Sequence, residues 1–165
     1  MTTALLARYV DINIILYMTL VTNPTFETTL LVRDACLCMH VQRAARALAR
    51  RFDDAFRPIG LTNGQFSLLS SLNRPKPPAM GAVATLLGMD RTTLTAALKP
   101  LQRRRLLKIT MDPADRRSRL MTLTPKGRRL LGRALPVWKR THTALEALLP
   151  NGNPDRFRKD LRAVS

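Results

Sequence analysis

The chain has 165 residues, 45% of them hydrophobic, which suits a single domain with a buried core. Its 28 Lys and Arg residues against 11 Asp and Glu residues give a formal net charge of +17, so we expect a polyanion, either nucleic acid or an anionic membrane surface, as partner. Two cysteines two positions apart fit neither a disulfide framework nor a zinc site, and two isolated histidines leave little for acid–base catalysis. These counts predict a cytoplasmic protein that is not an enzyme and has no metal and no cofactor.

Residues 1–32 are predicted to be an N-terminal extension. The apolar run Tyr9–Val21 is interrupted by Asp11 and Asn13, whereas a membrane span needs roughly 20 predominantly apolar residues. A signal peptide would need a basic start and a small-residue cleavage site, and the run has no convincing example of either. Three interpretations remain: an ordered arm packed on the body or on a partner, a disordered or over-long start, and a membrane-associating segment.

Between Arg33 and Ile59 apolar residues recur every three or four positions, which predicts one long amphipathic helix ended by Pro58 and Gly60. Thr62 is the predicted N-cap of a short helix that precedes a proline-rich loop at 73–78. The apolar helical positions are Val41, Ala44, Ala45, Leu48, Phe52, Ala55 and Phe56, then Phe66, Leu68, Leu69 and Leu72.

Two short helices joined by a glycine turn come next. Met80–Leu87 has apolar residues at helical spacing, and Gly88 is the expected left-handed turn residue. Asp90 is the predicted N-cap of a helix over 91–105. Its buried stripe is predicted to be Leu94, Ala97, Leu98 and Leu101. This pair of helices predicts a helix-turn-helix.

A hairpin and a long helix complete the pattern. The runs Leu106–Met111 and Ser118–Leu123 predict a two-stranded antiparallel ribbon. Thr124 and Pro125 start a helix that is expected to reach about Leu149. A last short helix carries Phe157, Leu161 and Val164. The predicted fold is mainly α with a small β-hairpin wing: a winged helix-turn-helix over 61–124, with further helices at both ends.

Positive charge is concentrated between Lys99 and Arg140, where 14 Lys and Arg residues stand against two acids, Asp112 and Asp115. The polar face of the helix after Asp90 suits base edges and phosphates in a major groove. Arginines on a narrow ribbon suit the adjacent minor groove. Asp115 is expected to fix the shape of the wing, either by pairing with Arg117 or Arg119 or by capping the turn. The predicted DNA-binding residues are Arg91, Thr92, Thr93, Thr95, Lys99, Arg103, Arg116, Arg117 and Arg119.

Asp115-Arg116-Arg117 followed by Leu123-Thr124-Pro125-Lys126-Gly127 resembles the D-x-R…L-T-x-x-G wing pattern of the MarR family of bacterial transcription regulators. The stretches 60–72 and 80–107 are similar to the same family, so the resemblance covers about 33–164. It implies an obligate homodimer, with a domain over 33–165 whose dimerisation helices lie at 33–60 and 125–165. It also implies that the dimer binds and represses a pseudo-palindromic operator, and that a small phenolic ligand or an oxidant releases it. By the same resemblance, Arg117 would lie in the minor groove.

The chain departs from the family pattern at two places. Arg105 stands where the family commonly has glycine, and a left-handed backbone there would cost a non-glycine residue roughly 1 kcal/mol. The extension before Arg33 is longer than the pattern requires. The remaining functional alternative is a polyanion-binding or architectural protein without sequence preference, which the charge alone would permit.

Cys36 and Cys38 carry a second open question. One branch of the family senses peroxides through a cysteine near the start of the first helix, where Cys38 stands, but Asn63 and Phe66 occupy the region of that branch's tyrosines. If both cysteines are helical they point about 200° apart, so a bond between them needs local unwinding. The other interpretation is that both are small apolar fillers.

Overall fold

A computed structural model describes residues 23–150 and 152–165. The apolar run at 9–21 lies outside these residues, so the three interpretations of its role stay predictions. The described chain divides into two compact units, one ending at Arg46 and one from Ala47 to Ser165. No helix in the described ranges is long and apolar enough to cross a bilayer.

The first unit contains helix α1 (Phe26–Ala35) and the start of helix α2 (Leu37–Phe56). The prediction of one continuous helix from Arg33 is therefore wrong at its start. Cys36 interrupts the helix with an extended backbone (φ −74°, ψ 104°), and its N–H donates to the carbonyl of Val32. The ring Nε2 of His40 lies 3.1 Å from the carbonyl oxygen of Asp34, so the end of α1 is tied to the first turn of α2.

The second unit begins with the rest of α2, a 3₁₀ turn (Arg57–Ile59) and helix α3 (Asn63–Ser71). Thr62 caps α3 as predicted, because its hydroxyl accepts the N–H of Gln65 while the Gln65 side chain accepts the N–H of Thr62. The N–H of Asn63 also donates to a carboxylate oxygen of Asp53 at 2.6 Å. These contacts fix the angle between α2 and α3.

Helices α4 (Met80–Leu87) and α5 (Arg91–Arg103) form the predicted helix-turn-helix. Gly88 makes the turn with φ 61°, and Asp90 caps α5. Helix α5 ends two residues earlier than predicted, because Arg105 adopts a left-handed backbone with φ 56°. In this left-handed conformation a non-glycine residue such as Arg105 costs folding free energy, as the comparison with the family pattern predicts.

Strands β1 (Leu107–Met111) and β2 (Arg119–Leu123) pair antiparallel, from Leu107 opposite Leu123 to Met111 opposite Arg119. Ala79 bridges to Leu120 and ties the loop before α4 to the ribbon. Helix α6 (Pro125–Glu146) follows with Thr124 as its N-cap, and helix α7 (Pro154–Ala163) ends the chain. Because α6 ends at Glu146, Leu148 lies beyond it and is exposed.

One hydrophobic core holds α3 to α6 and the ribbon together. Phe56, Leu69, Val83, Leu94, Leu101 and Met121 are each fully buried. An aromatic row extends the core: Phe56 stacks on Phe66 at 4.8 Å between ring centroids, Phe66 faces Trp138 at 6.3 Å, and Trp138 lies 4.6 Å from His142. The wing and the helix-turn-helix are thus parts of one packed body that includes α6.

Candidate nucleic-acid interface

Helix α5 has one buried side and one polar side. Leu94, Leu98 and Leu101 are buried in the core. The opposite side is exposed and, through Arg103, contains no acidic residue. The predicted contact residues on this helix all lie on that exposed side: Arg91, Thr92, Thr93, Thr95, Lys99 and Arg103.

The hydroxyl groups on this face differ in what they already bind. Thr93 donates its hydroxyl to Asp90 at 2.6 Å and its N–H to the other carboxylate oxygen at 2.8 Å. The Thr93 hydroxyl, followed by backbone N–H groups, lowers the pKa of the Asp90 carboxyl. Thr95 donates its hydroxyl to the carbonyl of Arg91 at 2.7 Å. In this structure both Thr93 donors bind the N-cap residue Asp90, a role that the sequence did not indicate.

Four side chains on this face carry no hydrogen bond or ion pair to the rest of the described chain. They are Arg91, Thr92, Lys99 and Arg103. Within the described residues their donors have no internal partner, so they are available to phosphates or base edges.

The tip of the wing is shaped by two aspartates. Asp112 accepts the N–H of Ala114 at 2.9 Å, and Asp115 accepts the N–H of Arg117 at 2.9 Å. Of the alternatives for Asp115, turn capping is the one observed, and in residues 23–150 and 152–165 it joins no ion pair. Such local Asx turns hold the backbone of the tip without neutralising its arginines.

The three wing arginines have different surroundings. Arg119 folds back, donating from one guanidinium nitrogen to the carbonyls of Arg116 at 2.9 Å and Ser118 at 3.1 Å. The side chains of Arg116 and Arg117 are exposed and make no such bond. Arg116 and Arg117 thus lie at the tip as exposed cations that pair with no carboxylate in the described ranges, whereas Arg119 also braces the loop.

The root of the wing is closed against the start of α6. Thr124 donates its hydroxyl to the carbonyl of Arg105 at 2.8 Å and accepts the N–H of Gly127 at 3.0 Å. The N–H of Thr124 donates to the carbonyl of Leu106 at 3.0 Å. A Cβ atom at Gly127 would lie 2.0 Å from that same oxygen, so only glycine fits.

Two of the cavities formed by the described residues bear on function, and the sequence did not indicate the residues of either. The apolar one, of about 220 Å³, lies between α2, α6 and α7 and is lined by residues that include Leu48, Phe52, His142, Leu145 and Phe157. The basic one, of about 420 Å³, lies where the end of α5 meets the start of α6. The spacing of Lys126, Arg129 and Arg133 along one face of a helix was the available signal for the second cavity.

The two cysteines are separated by the helix break. Cys36 is half-buried at the break and Cys38 is exposed in the first turn of α2, where its sulfur accepts a hydrogen bond from Gln42 at 3.1 Å. Because Cys36 is not helical, the expectation that the two side chains point about 200° apart on one helix does not apply. The described residues contain no group of His, Cys, Asp or Glu that could hold a metal ion.

Comparison with known proteins gives consistent matches. A family model described as "MarR family" matches residues 59–118. The M. tuberculosis transcriptional regulator MosR, solved in complex with DNA, is 36% identical, covers 78% of this chain and 92% of its own, and superposes with a TM-score of 0.71. The transcriptional repressor CouR, bound to a 23-mer DNA duplex, is 32% identical over 81% of this chain and 94% of its own, also with a TM-score of 0.71.

A curated relative gives a shorter match. The transcriptional activatory protein BadR of Rhodopseudomonas palustris is 32% identical over 95 residues, which are 56% of this chain and 54% of BadR. The chain thus spans about half the length of this relative. The solved structures confirm the predicted fold, mainly helical with a two-stranded antiparallel wing.

Proposed function

This chain belongs to the MarR family of transcriptional regulators, and from that premise we propose that it is a homodimeric repressor of a pseudo-palindromic operator, released by a small ligand. Regulators of this family bind DNA and are not enzymes, which confirms the prediction that the chain is no enzyme. A protein that regulates transcription in a bacterium works in the cytoplasm. The observation that carries the proposal is the pairing of an acid-free helix face with a wing tip of free arginines.

Helix α5 is the proposed major-groove element. A recognition helix contacts base edges with residues near its N-terminus and phosphates with residues further along. Arg91 and Thr92 stand in the first turn, where they can reach base edges, and Lys99 and Arg103 stand one and two turns beyond Thr95. Thr93 and Thr95 would then contribute through hydroxyl lone pairs, since their protons are already donated within the helix.

The wing is the proposed minor-groove element. Arg117 stands at the tip, with its backbone held by Asp115 and its side chain free, so the loop needs no reordering to present it. A narrow minor groove has an enhanced negative potential that favours an inserted guanidinium. Arg116 would contact the flanking phosphates, and Arg119 would join only if it released the loop carbonyls that it now binds.

Dimerisation is proposed for the helices on either side of the winged body, 33–60 and 125–165. Both regions expose large apolar side chains that a monomer would leave in water. On the C-terminal side these are Leu135, Leu148, Phe157, Leu161 and Val164, and on α2 they include Leu37, Met39, Val41 and Leu48. A two-fold dimer would place two recognition helices one DNA turn apart, about 34 Å, which demands a palindromic operator.

The apolar cavity between α2, α6 and α7 is the proposed ligand site. Phe52 and His142 line it, and His142 lies against Trp138, so a flat aromatic ligand would find stacking partners there. A CouR structure contains p-coumaroyl-CoA. That relative supports a phenolic compound as the ligand class for this chain.

Oxidant release is the second proposed control. Cys36 stands at the helix break with an extended backbone, outside both helices, and Cys38 is exposed two residues further along the chain. Peroxide treatment should weaken operator binding by the wild-type protein and leave Cys38→Ser unchanged. Equal operator affinity before and after peroxide in the wild type would exclude redox control.

The test of the main proposal is selection of bound sequences from a random DNA pool, followed by affinity measurements at one fixed salt concentration. We expect a two-fold symmetric consensus that binds at least ~10³-fold more tightly than a scrambled duplex of equal length. A ratio near one would instead establish the alternative function, a polyanion-binding protein without sequence preference. Sedimentation of the free protein tests the dimer independently.

A further inference from the structure

The basic cavity combines four cations with an apolar floor. It is lined by Ile59, Leu106 and Leu130 together with Arg104, Lys126, Arg129 and Arg133. No acidic residue lines it. Leu106 is fully buried, and Ile59 and Leu130 are half-buried, so the floor belongs to the hydrophobic core.

Two of the cations are held in place by neutral partners. Arg104 donates from its guanidinium to the side-chain oxygen of Gln65 at 3.2 Å, and Lys126 donates its ammonium to the carbonyl of Arg104 at 3.1 Å. Neither contact neutralises the positive charge. The cations are therefore positioned in advance of any ligand, and most of their donors stay unused.

The other two cations repel their neighbours. Lys126, Arg129 and Arg133 follow one another at intervals of three and four residues, so they stand on the same face of α6. In the described parts of the chain no carboxylate pairs with any of the four cations. Like charges at these intervals destabilise a helix, and a bound anion would offset that repulsion.

We propose that this cavity is a second ligand site, which binds an oxyanion of the phosphate type. Guanidinium groups match phosphate and carboxylate oxygens in pairs, and a lysine adds a point charge. The volume of about 420 Å³ falls in the range of small-molecule sites. An organic phosphate or polycarboxylate would also cover the apolar floor at Ile59, Leu106 and Leu130.

The site differs in chemistry and place from the apolar cavity proposed for an aromatic ligand. The two share no lining residue. The same oxyanion chemistry has two sources, a free anionic metabolite or a phosphate of the bound DNA. Only the second source rests on the proposed function, because a free anion binds whether or not the chain has an operator.

The test uses inorganic pyrophosphate as the probe, with titration calorimetry on the DNA-free protein at constant ionic strength. The variant R129Q/R133Q removes two exposed cations from the cavity. R128Q/K139Q is the matched control, since it removes two exposed cations from the same helix outside the cavity. Circular dichroism of both variants checks that α6 is intact.

We expect one pyrophosphate per chain, bound at least tenfold more weakly by R129Q/R133Q and within twofold of wild type by R128Q/K139Q. Equal operator affinity for the two variants then assigns the site to a free anion. A tenfold loss of operator affinity confined to R129Q/R133Q assigns the oxyanion to the DNA backbone. No binding by the wild type, or equal losses in both variants, would overturn the site.

Discussion

Replacing Gly127 by alanine should destabilise the protein by about 3 kcal/mol, although alanine is the better helix former. The added Cβ would lie 2.0 Å from the carbonyl oxygen of Leu106, whereas real Cβ contacts essentially never fall below 3.0 Å. The helix start or the strand must therefore move by at least 1 Å. The three atoms nearest the added Cβ all belong to the main chain of Leu106, so no side-chain rotation can relieve the contact.

The magnitude follows from what that movement disrupts. The Leu106 carbonyl accepts the N–H of Thr124 at 3.0 Å and its hydroxyl at 3.2 Å. A hydrogen bond contributes about 1 kcal/mol net, and overpacking in a tight site costs about 1–3 kcal/mol. The helix propensity of alanine returns less than about 1 kcal/mol. For a chain of this length, 3 kcal/mol corresponds to a fall in Tm of roughly 6–12 °C.

The measurement is thermal unfolding followed by the fluorescence of Trp138, the only tryptophan of the chain. Gly132→Ala on the same helix is the control, because nothing lies within 4 Å of its added Cβ. That change should raise the free energy of unfolding by up to about 1 kcal/mol and raise Tm slightly. All variants are compared at one protein concentration, since the Tm of the proposed dimer would depend on it. A Gly127→Ala protein that melts at or above the wild-type temperature would refute the close approach.

Three other predictions concern the wing tip and the two ends of helix α5. Arg117→Ala should weaken operator binding roughly tenfold or more and reduce the slope of log K against log salt by about one per subunit, with Tm unchanged. Lys159→Ala on α7 is the control. If Arg117→Ala unfolded grossly in a thermal melt, the role of Arg117 would be structural. Arg105→Gly should stabilise the fold by up to about 1 kcal/mol, because glycine tolerates the left-handed backbone; an unfolding midpoint in urea below that of the wild type would contradict this. The pKa of the Asp90 carboxyl is lowered in the folded protein, chiefly by the Thr93 hydroxyl. The ionised carboxylate therefore stabilises the fold at pH values above its unfolded-state pKa of about 3.9, and this stabilisation is lost as pH falls through its lower folded-state pKa. The difference in urea midpoint between wild type and Asp90→Asn should accordingly shrink as pH is lowered from 5 towards 3, and a difference independent of pH would exclude this role.

Local signals were sufficient for most of the fold. Thr62, Asp90 and Thr124 were each recognised as helix N-caps because a short polar side chain precedes an apolar helical pattern. Gly88 was recognised as the turn of the helix-turn-helix for its freedom at positive φ. These features depend on neighbours within four residues, so the sequence alone determines them.

The features that were missed depend on contacts between distant segments. Nothing in the sequence near Gly127 shows that the carbonyl of Leu106 lies against it. Likewise, Lys126 binds the carbonyl of Arg104, which lies 22 positions earlier in the sequence. The break at Cys36 is local, yet no proline or glycine marks it. The side-chain bonds of Thr93 and Arg119 were hidden because sequence spacing shows which face a residue shares but not which partner it binds.

The wing has a rigid root and a tip with few ties to the body. Past Met111 and Arg119 the hydrogen bonds seen among the described residues lie within the loop, for example Asp112 N–H to the Ser118 carbonyl and Ser118 N–H to the Asp115 carbonyl. Every two residues inserted between Pro113 and Ala114, one for each strand, would lengthen the ribbon by roughly 3.3 Å without changing its register at the root. Loop insertions would therefore change how far the proposed minor-groove element extends, while the close approach of Gly127 to the Leu106 carbonyl at the root stays unchanged.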